Sequence, residues 1–162
     1  MKKEEIYSLL RERGIWHEIT EHPAVYSMAE SAAVTLPYPE ADSKSLFVRD
    51  GKKRSYYLIT VKGDRRVDLK RFRQQHGTAS LSFAAPHELA DLLGLFPGAV
   101  TPLGLLNDKE HRAALYLDEA FLAQPGLIGI HPNDNTATLW LRTEDLTQLL
   151  VSQGCTVYVT PL

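Results

Sequence analysis

The sequence has a single cysteine among its 162 residues, so no internal disulfide can form and a reducing compartment is indicated. It begins Met-Lys-Lys-Glu-Glu-Ile, without the apolar run of a signal peptide. The uncharged run 92–107 is shorter than the roughly 20 residues that span a bilayer, and Pro97 and Pro102 interrupt it. These absences predict a cytoplasmic protein with no membrane partner.

Familiar catalytic and metal-binding motifs are also missing. The chain has no Gly-x-Ser-x-Gly, His-Glu-x-x-His, Cys-x-x-Cys or P-loop pattern. Its six histidines lack metal-ligand spacing, and His76, His87 and His111 are predicted to lie at the surface. Cys155 has no basic neighbours that would activate a thiol, so a structural role is expected. The sequence thus predicts neither a metal nor a cofactor.

The chain shows no linker, repeat or low-complexity segment, which predicts one domain over residues 1–162. Hydrophobic periodicity and end signals predict helices at 3–13, 28–34, 68–76, 86–94 and 143–154. Strands are expected at 15–19, 45–50, 56–61, 80–83, 103–106, 113–117, 128–130, 136–141 and 156–159. This irregular alternation predicts an α/β domain with flanking helices around a mixed, mostly antiparallel sheet or a partly closed barrel.

Residues 92–108 form a long apolar run that contains three glycines and two prolines. A plain core helix or strand would not tolerate so many breakers. The run therefore predicts a buried turn whose bare backbone amides a ligand could approach closely.

Positive charge is concentrated between residues 44 and 73, where eleven Lys or Arg stand against three Asp, although the whole chain carries a net charge of −2. Such a segment on an acidic body is typical of a surface that binds a polyanion, and a solvated basic face explains the charge pattern equally well. An Asp-Gly hairpin between the strands 45–50 and 56–61 would present Lys52, Lys53 and Arg54 at its tip.

Two further residues are candidates on local grounds. Lys44 stands at the mouth of a strand, where it could hold a phosphate, polarise a carbonyl or simply face solvent. His131 opens the turn His-Pro-Asn-Asp-Asn-Thr between two strands, a place that often carries function. The alternative is that Asn133, Asp134 and Asn135 make a tight turn and His131 is incidental.

An ordered set of segments resembles the YbaK/ProX group of trans-acting aminoacyl-tRNA deacylases, and in particular its prolyl-tRNA synthetase associated domain branch. The segments are Glu21-His-Pro-Ala-Val-Tyr, Lys44-Ser-Leu-Phe-Val-Arg-Asp, Leu81-Ser-Phe-Ala, Leu93-Gly-Leu-Phe-Pro-Gly-Ala-Val-Thr-Pro, Leu106-Asn-Asp-Lys-Glu-His and His131-Pro-Asn-Asp-Asn-Thr-Ala. The resemblance covers nearly the whole chain. It implies the editing-domain fold and hydrolysis of a mischarged tRNA, with alanine on proline tRNA as the expected substrate.

The resemblance also implies roles for individual residues. The active-site Lys, Gly and His of the family fall on Lys44, Gly98 and His131, and its Gly-x-x-x-Pro element ends at Pro102. Ser45 stands where many members of the branch have Asn and is expected, with Pro102, to contribute to substrate binding. Met28 and Val34, on the helix predicted at 28–34, are expected to be walls of a small substrate pocket, and ordinary core positions explain them equally well.

The tRNA partner is expected to bind a set of basic residues. Prolyl-tRNA synthetase is a further candidate partner. The chain is expected to act as a monomer or weak dimer. The basic residues are Lys52, Lys53, Arg54, Arg65, Arg66 and Lys70. Two alternatives remain open: deacylation of another amino acid, such as cysteine or serine, and a non-catalytic module that binds tRNA or another nucleic acid.

Overall fold

The computed structural model describes residues 1–24, 34–52 and 55–162. Its helices are α1 (Lys3–Glu12), α2 (Leu69–His76), α3 (Pro86–Leu93) and α4 (Thr143–Ser152). Its strands are β1 (His17–Glu21), β2 (Ser43–Asp50), β3 (Tyr56–Lys62), β4 (Leu81–Phe83), β5 (Ala113–Asp118), β6 (Leu127–Ile130), β7 (Ala137–Arg142) and β8 (Thr156–Thr160). Short 3-10 helices cover Pro39–Ala41, Pro102–Asn107 and Glu119–Leu122.

The strands form two sheets. The smaller has the order β1-β7-β6 and is antiparallel, and the larger has the order β4-β2-β3-β5-β8. In the larger sheet β2 runs antiparallel to β3 and β4, whereas β5 runs parallel to both β3 and β8. The expected mixed, mostly antiparallel α/β architecture is confirmed, and the described strands do not close into a barrel.

Strand β2 separates two apolar clusters, because successive side chains of a strand point to opposite faces. Phe47 packs into the main core with residues of α1, α3, α4 and both sheets, while Val48 packs under α2 with Phe72. Ser43 and Ser45 share the face of Phe47, and Lys44 lies at a position of the opposite face. The β2–β3 register, with Ser45 opposite Thr60, confirms the predicted hairpin.

The two sheets meet where β2 begins beside β6. Asp42 forms a parallel bridge with Gly129, whose carbonyl accepts a hydrogen bond from the Ser43 hydroxyl. A Cβ at Gly129 would lie 2.3 Å from the fully buried ring of Trp140. Only glycine therefore leaves room for the Trp140 ring, which belongs to the neighbouring strand β7 of the same smaller sheet.

Several predicted helix ends are confirmed by their capping geometry. The Asp68 carboxylate accepts the Lys70 and Arg71 amides at the start of α2, and Gly77 ends that helix in the left-handed conformation. Helix α3 begins with Pro86 and ends at Gly94, also left-handed.

The predicted strand at 103–106 is wrong. Thr101 accepts the Leu103 amide and Pro102 fixes the first turn, so the chain enters a 3-10 helix. This helix packs tightly, because a Cβ at Gly104 would lie 2.5 Å from Leu95. The buried turn predicted for the run 92–108 is found in part, since Phe96 is 41% exposed whereas Leu103 and Leu105 are buried.

Two smaller expectations also differ from the structure. The first strand begins and ends two residues later than the predicted range 15–19. His76 is half-buried rather than superficial, because its ring packs 4.4 Å from Phe72 and 4.9 Å from Tyr116, and burial lowers its pKa. The predicted helix at 28–34 falls almost entirely outside the described residues.

Candidate active site

A small open cleft lies at the junction of the two sheets. Among the described residues it is lined by His22, Val34, Leu36, Asp42, Ser43, His131 and Thr138. The smaller sheet contributes the histidines and the threonine, and the segment entering β2 contributes the aspartate and the serine. The cleft therefore depends on how the sheets meet.

His131 follows β6 directly and lies within the cleft. Its Nδ1 is 3.1 Å from the Ala137 carbonyl, and since a carbonyl only accepts, Nδ1 carries the proton. The Nε2 atom of the neutral ring is therefore an acceptor. Burial lowers the pKa of His131, assisted by His22, while the Ala137 carbonyl, Asp42 and Asp134 act in the opposite direction.

The loop after His131 is held by side-chain hydrogen bonds. Asp134 accepts the Thr136 amide at 2.8 Å and the Thr136 hydroxyl at 2.7 Å, and Asn133 adopts a φ of 60°. The start of the chain braces this loop, since Lys3 donates to the Thr136 hydroxyl at 3.0 Å and Asn133 donates to the Met1 carbonyl at 3.0 Å. These contacts fix the turn that positions His131.

His22 is a cleft residue that the sequence did not single out for this site. Its Nδ1 contacts the Pro23 carbonyl at 2.9 Å, so Nε2 of the neutral ring accepts the hydroxyl proton of Thr138 at 3.0 Å. Its ring centroid lies 6.3 Å from that of His131. The pairing of β1 with β7 brings the two histidines together, and no local sequence signal reports this pairing.

Asp42 and Ser43 were also missed, because they lie in a polar, Pro-containing segment that reads as an ordinary loop. Burial raises the pKa of Asp42, although the Ser43 amide and the nearby rings of His131 and His22 lower it. The cleft thus holds a partly desolvated carboxyl group beside two imidazole rings.

Titration of His131 provides a direct check of this environment. We expect NMR to give its pKa below the ordinary value of about 6.5, because burial disfavours the imidazolium form. The unfolded chain then binds more protons, so His131 makes the free energy of unfolding decrease as pH falls from about 6.5 through the folded-state pKa.

The His131→Gln variant should lack this component of the pH dependence, whereas His87→Gln, at an exposed position, should retain it. Denaturant unfolding at a series of pH values compares the three proteins. A His131 pKa at or above 6.5 would contradict the burial argument.

The other predicted site residues have different surroundings. Val34 lines the cleft beside Leu36, and its contact with substrate stays a prediction. Lys44 is half-buried on β2, next to Ser43 but not among the residues lining this cleft. The Ser45 hydroxyl is 2.8 Å from that of Thr60 on the neighbouring strand, which gives it a partner within the sheet.

Gly98 and Pro102 belong to the apolar run. Gly98 is exposed in a turn with a φ of 97°, where L side chains are strained, and its amide makes no hydrogen bond to another described residue. Pro102 is buried at the start of the 3-10 helix. Met28 lies outside the described residues.

Some residues of the basic segment 44–73 bond to other groups of the protein, and others are exposed. Arg49 forms an ion pair with Glu88, and the Lys62 ammonium donates to the Glu40 carbonyl. The predicted tRNA-binding residues Lys52, Arg65, Arg66 and Lys70 are exposed, and Arg65 also donates to the Leu162 carbonyl. Lys53 and Arg54 lie outside the described residues.

Cys155 is 9% exposed, and its thiol lies 3.7 Å from the Leu105 carbonyl. Burial and the Asp108 carboxylate raise its pKa, which disfavours a nucleophilic thiolate.

Over residues 1–24, 34–52 and 55–162, no group of three or more His, Cys, Asp or Glu side chains is arranged for a metal ion. None of the helices in this part of the chain has both the length and the apolar character needed to cross a bilayer.

Comparison with known proteins places this site in context. The aminoacyl-tRNA editing domain matches residues 22–149. The prolyl-tRNA editing protein ProX of Acetoanaerobium sticklandii is 34% identical over 95% of this chain and 93% of its own length. The mouse prolyl-tRNA synthetase associated domain-containing protein 1 is 34% identical over 85% of this chain and 82% of its own length.

A solved structure is also similar to this chain. A protein described as a candidate trans-editing enzyme for prolyl tRNA synthetase superposes with a TM-score of 0.71 at 25% identity, covering 99% of this chain and 96% of that one. The resemblance stated from the sequence is therefore confirmed. On this evidence of sequence and fold, the chain belongs to the aminoacyl-tRNA editing domain family, in its ProX and prolyl-tRNA synthetase associated branch.

Proposed function

We propose that this protein is a trans-editing deacylase that hydrolyses the ester between a wrong amino acid and tRNA, with Ala-tRNA(Pro) as its preferred substrate. One observation carries the proposal: the editing-domain match begins at His22 and contains every described residue that lines the cleft. The names of the prolyl-tRNA editing relative and of the related solved protein support the choice of proline tRNA.

The chemistry requires little from the protein because an aminoacyl ester is already activated. Water attacks the ester carbonyl carbon, the bond between that carbon and the ribose oxygen breaks, and the products are the free amino acid and a tRNA whose ribose oxygen has become a hydroxyl group. The terminal ribose hydroxyl of the tRNA would position the water, as the family resemblance implies. This route needs no serine or cysteine nucleophile.

Gly98 is the proposed donor to the oxyanion that forms during attack. Its exposed amide has no acceptor among the described residues, and glycine lets the carbonyl approach closely. A single donor of this kind contributes roughly 3 kcal/mol to transition-state stabilisation. Pro102 would stiffen the segment that follows Gly98.

Lys44 and His131 would both contact the substrate. Lys44 supplies a point charge for the terminal phosphate or the carbonyl. His131, with Nδ1 committed to the Ala137 carbonyl, can accept a hydrogen bond at Nε2 and so orient the amino acid.

Selection of alanine would be steric. Val34 and Leu36 are apolar walls of the cleft, and a small pocket accepts alanine while excluding a bulkier residue. Met28 is proposed as a further wall, and Ser45 would help position the tRNA end. The exposed Lys52, Arg65, Arg66 and Lys70, with Lys53 and Arg54, would follow the acceptor-stem phosphates.

The proposed setting is the cytoplasm, where the protein would act as a monomer or weak dimer and meet its substrate near prolyl-tRNA synthetase. The synthetase would release the mischarged tRNA, and this protein would hydrolyse it before it reaches translation.

A panel of tRNAs charged with alanine, serine, cysteine and proline tests the proposal. At micromolar protein, we expect Ala-tRNA(Pro) to lose its amino acid fastest and Pro-tRNA(Pro) to remain charged. His87→Ala, at an exposed position, is the matched control for His131→Ala, which should be slower. Intact Ala-tRNA(Pro) would rule out the proposed substrate, and faster loss of cysteine or serine would reassign it. Salt-sensitive tRNA binding without turnover would indicate a non-catalytic module.

A further inference from the structure

Asp42 is the one acidic residue among the described residues that line the cleft. Its backbone is held on both sides, since its amide donates to the Pro39 carbonyl at 3.3 Å and its carbonyl accepts the Gly63 amide at 2.9 Å. The bridge to Gly129 fixes it further against the smaller sheet. The carboxyl group is therefore attached to a rigid part of the site.

Among the described residues, the contacts of this carboxyl group include no ion pair, since no lysine or arginine lies within ion-pair distance of Asp42. The Ser43 amide hydrogen bonds to it, and the rings of His22 and His131 influence it electrostatically. A Cβ at Gly63 would lie 3.2 Å from Oδ2, so glycine at this position keeps the space beside the carboxylate open.

The polar atoms around Asp42 are mostly hydrogen-bond acceptors. The neutral His131 ring presents an unprotonated Nε2, because its Nδ1 proton points to the Ala137 carbonyl. The Ser43 and Thr138 hydroxyl protons are used by the Gly129 carbonyl and by His22 Nε2, which leaves their oxygen lone pairs. Such a cleft suits a small cation with several N–H donors and disfavours an anion.

We propose that Asp42 binds the α-ammonium group of the aminoacyl ester, an inference that rests on the proposed deacylase function. An α-ammonium group has one positive charge and three N–H donors, which the carboxylate, His131 Nε2 and the neighbouring hydroxyl oxygens can accept. Asp42 is then a specificity-determining residue that recognises an amino acid rather than any small acyl group. The raised pKa of Asp42 fits a carboxylate whose cation arrives with the substrate.

A comparison of two esters on the same tRNA tests the inference. One carries alanine, and the other carries lactate, in which a hydroxyl group replaces the ammonium group with little change in size. For Asp42→Asn we expect kcat/KM on the alanyl ester to fall about tenfold or more, and on the lactyl ester to fall by less than about threefold, because a neutral hydroxyl gains little from the charge. Each rate is corrected for uncatalysed hydrolysis.

Two controls separate binding from a structural role. Glu40→Gln removes an exposed carboxylate two residues away and should leave both esters unaffected. Asp42→Asn should unfold at the same or a higher temperature than the parent protein, because the carboxylate that it removes is partly desolvated. Equal losses on both esters, or a clear drop in unfolding temperature, would overturn the inference.

A binding measurement keeps the inference testable without turnover. Alaninamide has the ammonium group but no ester, and lactamide has neither charge nor ester. Alaninamide should shift the NMR signals of His131 in the parent protein, and neither Asp42→Asn with alaninamide nor the parent with lactamide should show this shift. An equal alaninamide response in Asp42→Asn would refute the role of Asp42. If the parent protein shows the alaninamide shift but does not cleave Ala-tRNA, the deacylase function is refuted and the role of Asp42 in binding the ammonium group is not.

Discussion

Replacement of Glu88 by Gln should lower the free energy of unfolding by about 3 kcal/mol at neutral pH, the loss typical of a broken buried ion pair. Glu88 is 4% exposed and accepts hydrogen bonds from Arg49 at 3.0 Å, Tyr56 at 2.7 Å and the Ala85 amide at 3.0 Å. The neutral amide would leave Arg49 without its partner charge. Urea unfolding monitored by circular dichroism measures the loss.

The same carboxylate should dominate the acid sensitivity of the fold. Burial alone would raise the pKa of Glu88, but the Ala85, Tyr56 and Arg49 hydrogen bonds and the Arg49 charge lower it to about 2. Its stabilising contribution is therefore present above the unfolded-state pKa of about 4.3 and is lost as pH falls toward 2. Asp91→Asn, at an exposed site on the same helix, should change little. A neutral-pH loss below about 0.5 kcal/mol for Glu88→Gln would show that this network is not stabilising.

Replacement of Lys44 by Ala should lower kcat/KM for deacylation by about 100-fold, as expected for loss of a charge-assisted hydrogen bond worth roughly 3 kcal/mol. Lys44 follows Ser43 on β2 but lies at a position of the opposite face, so removing its side chain leaves the Ser43–Gly129 contact unaltered. Single-turnover and steady-state kinetics on Ala-tRNA(Pro) give kcat and KM separately. A change mainly in KM would indicate phosphate anchoring, and one mainly in kcat would indicate an effect on the carbonyl.

Two companion variants make the Lys44 result interpretable. Lys44→Arg keeps the charge with a different shape and should recover part of the activity if phosphate anchoring is its main role. Lys109→Ala removes an exposed lysine elsewhere on the surface and should leave kcat/KM unchanged. Full activity in Lys44→Ala would remove this residue from the proposed mechanism.

Local sequence signals predicted most elements of the fold because the physical causes are themselves local. The Asp68 cap with Gly77 and the Asp50-Gly51 turn act within a few residues, and α2 and the β2–β3 hairpin form where expected. The strand predicted at 103–106 was wrong because the local hydrophobic pattern there does not distinguish a strand from a helix. A short apolar run fits a strand or a helix equally well, and the Thr101 cap with Pro102 decides for the 3-10 helix.

Prediction of the cleft was less complete because its residues come from distant parts of the chain. The position of His131 at the start of a turn between strands made it a candidate, and the family resemblance assigned it to the site. His22 and Thr138 hydrogen bond across 116 positions of sequence, and Asp42 joins them through its bridge to Gly129. Nothing in the local sequence of these residues reports such pairing, so only the folded chain identifies them as one site.

The pairing of the first strand with the seventh also has a consequence for synthesis on the ribosome. His17 to Glu21 hydrogen bond with Leu141 to Ala137, so the early strand has no partner until nearly the whole chain has been translated. Long-range pairing of this kind slows folding and leaves strand edges unprotected in the meantime. The cleft at the junction of the two sheets therefore assembles late, and a nascent chain stalled before β7 would have the β2–β3 hairpin without this cleft.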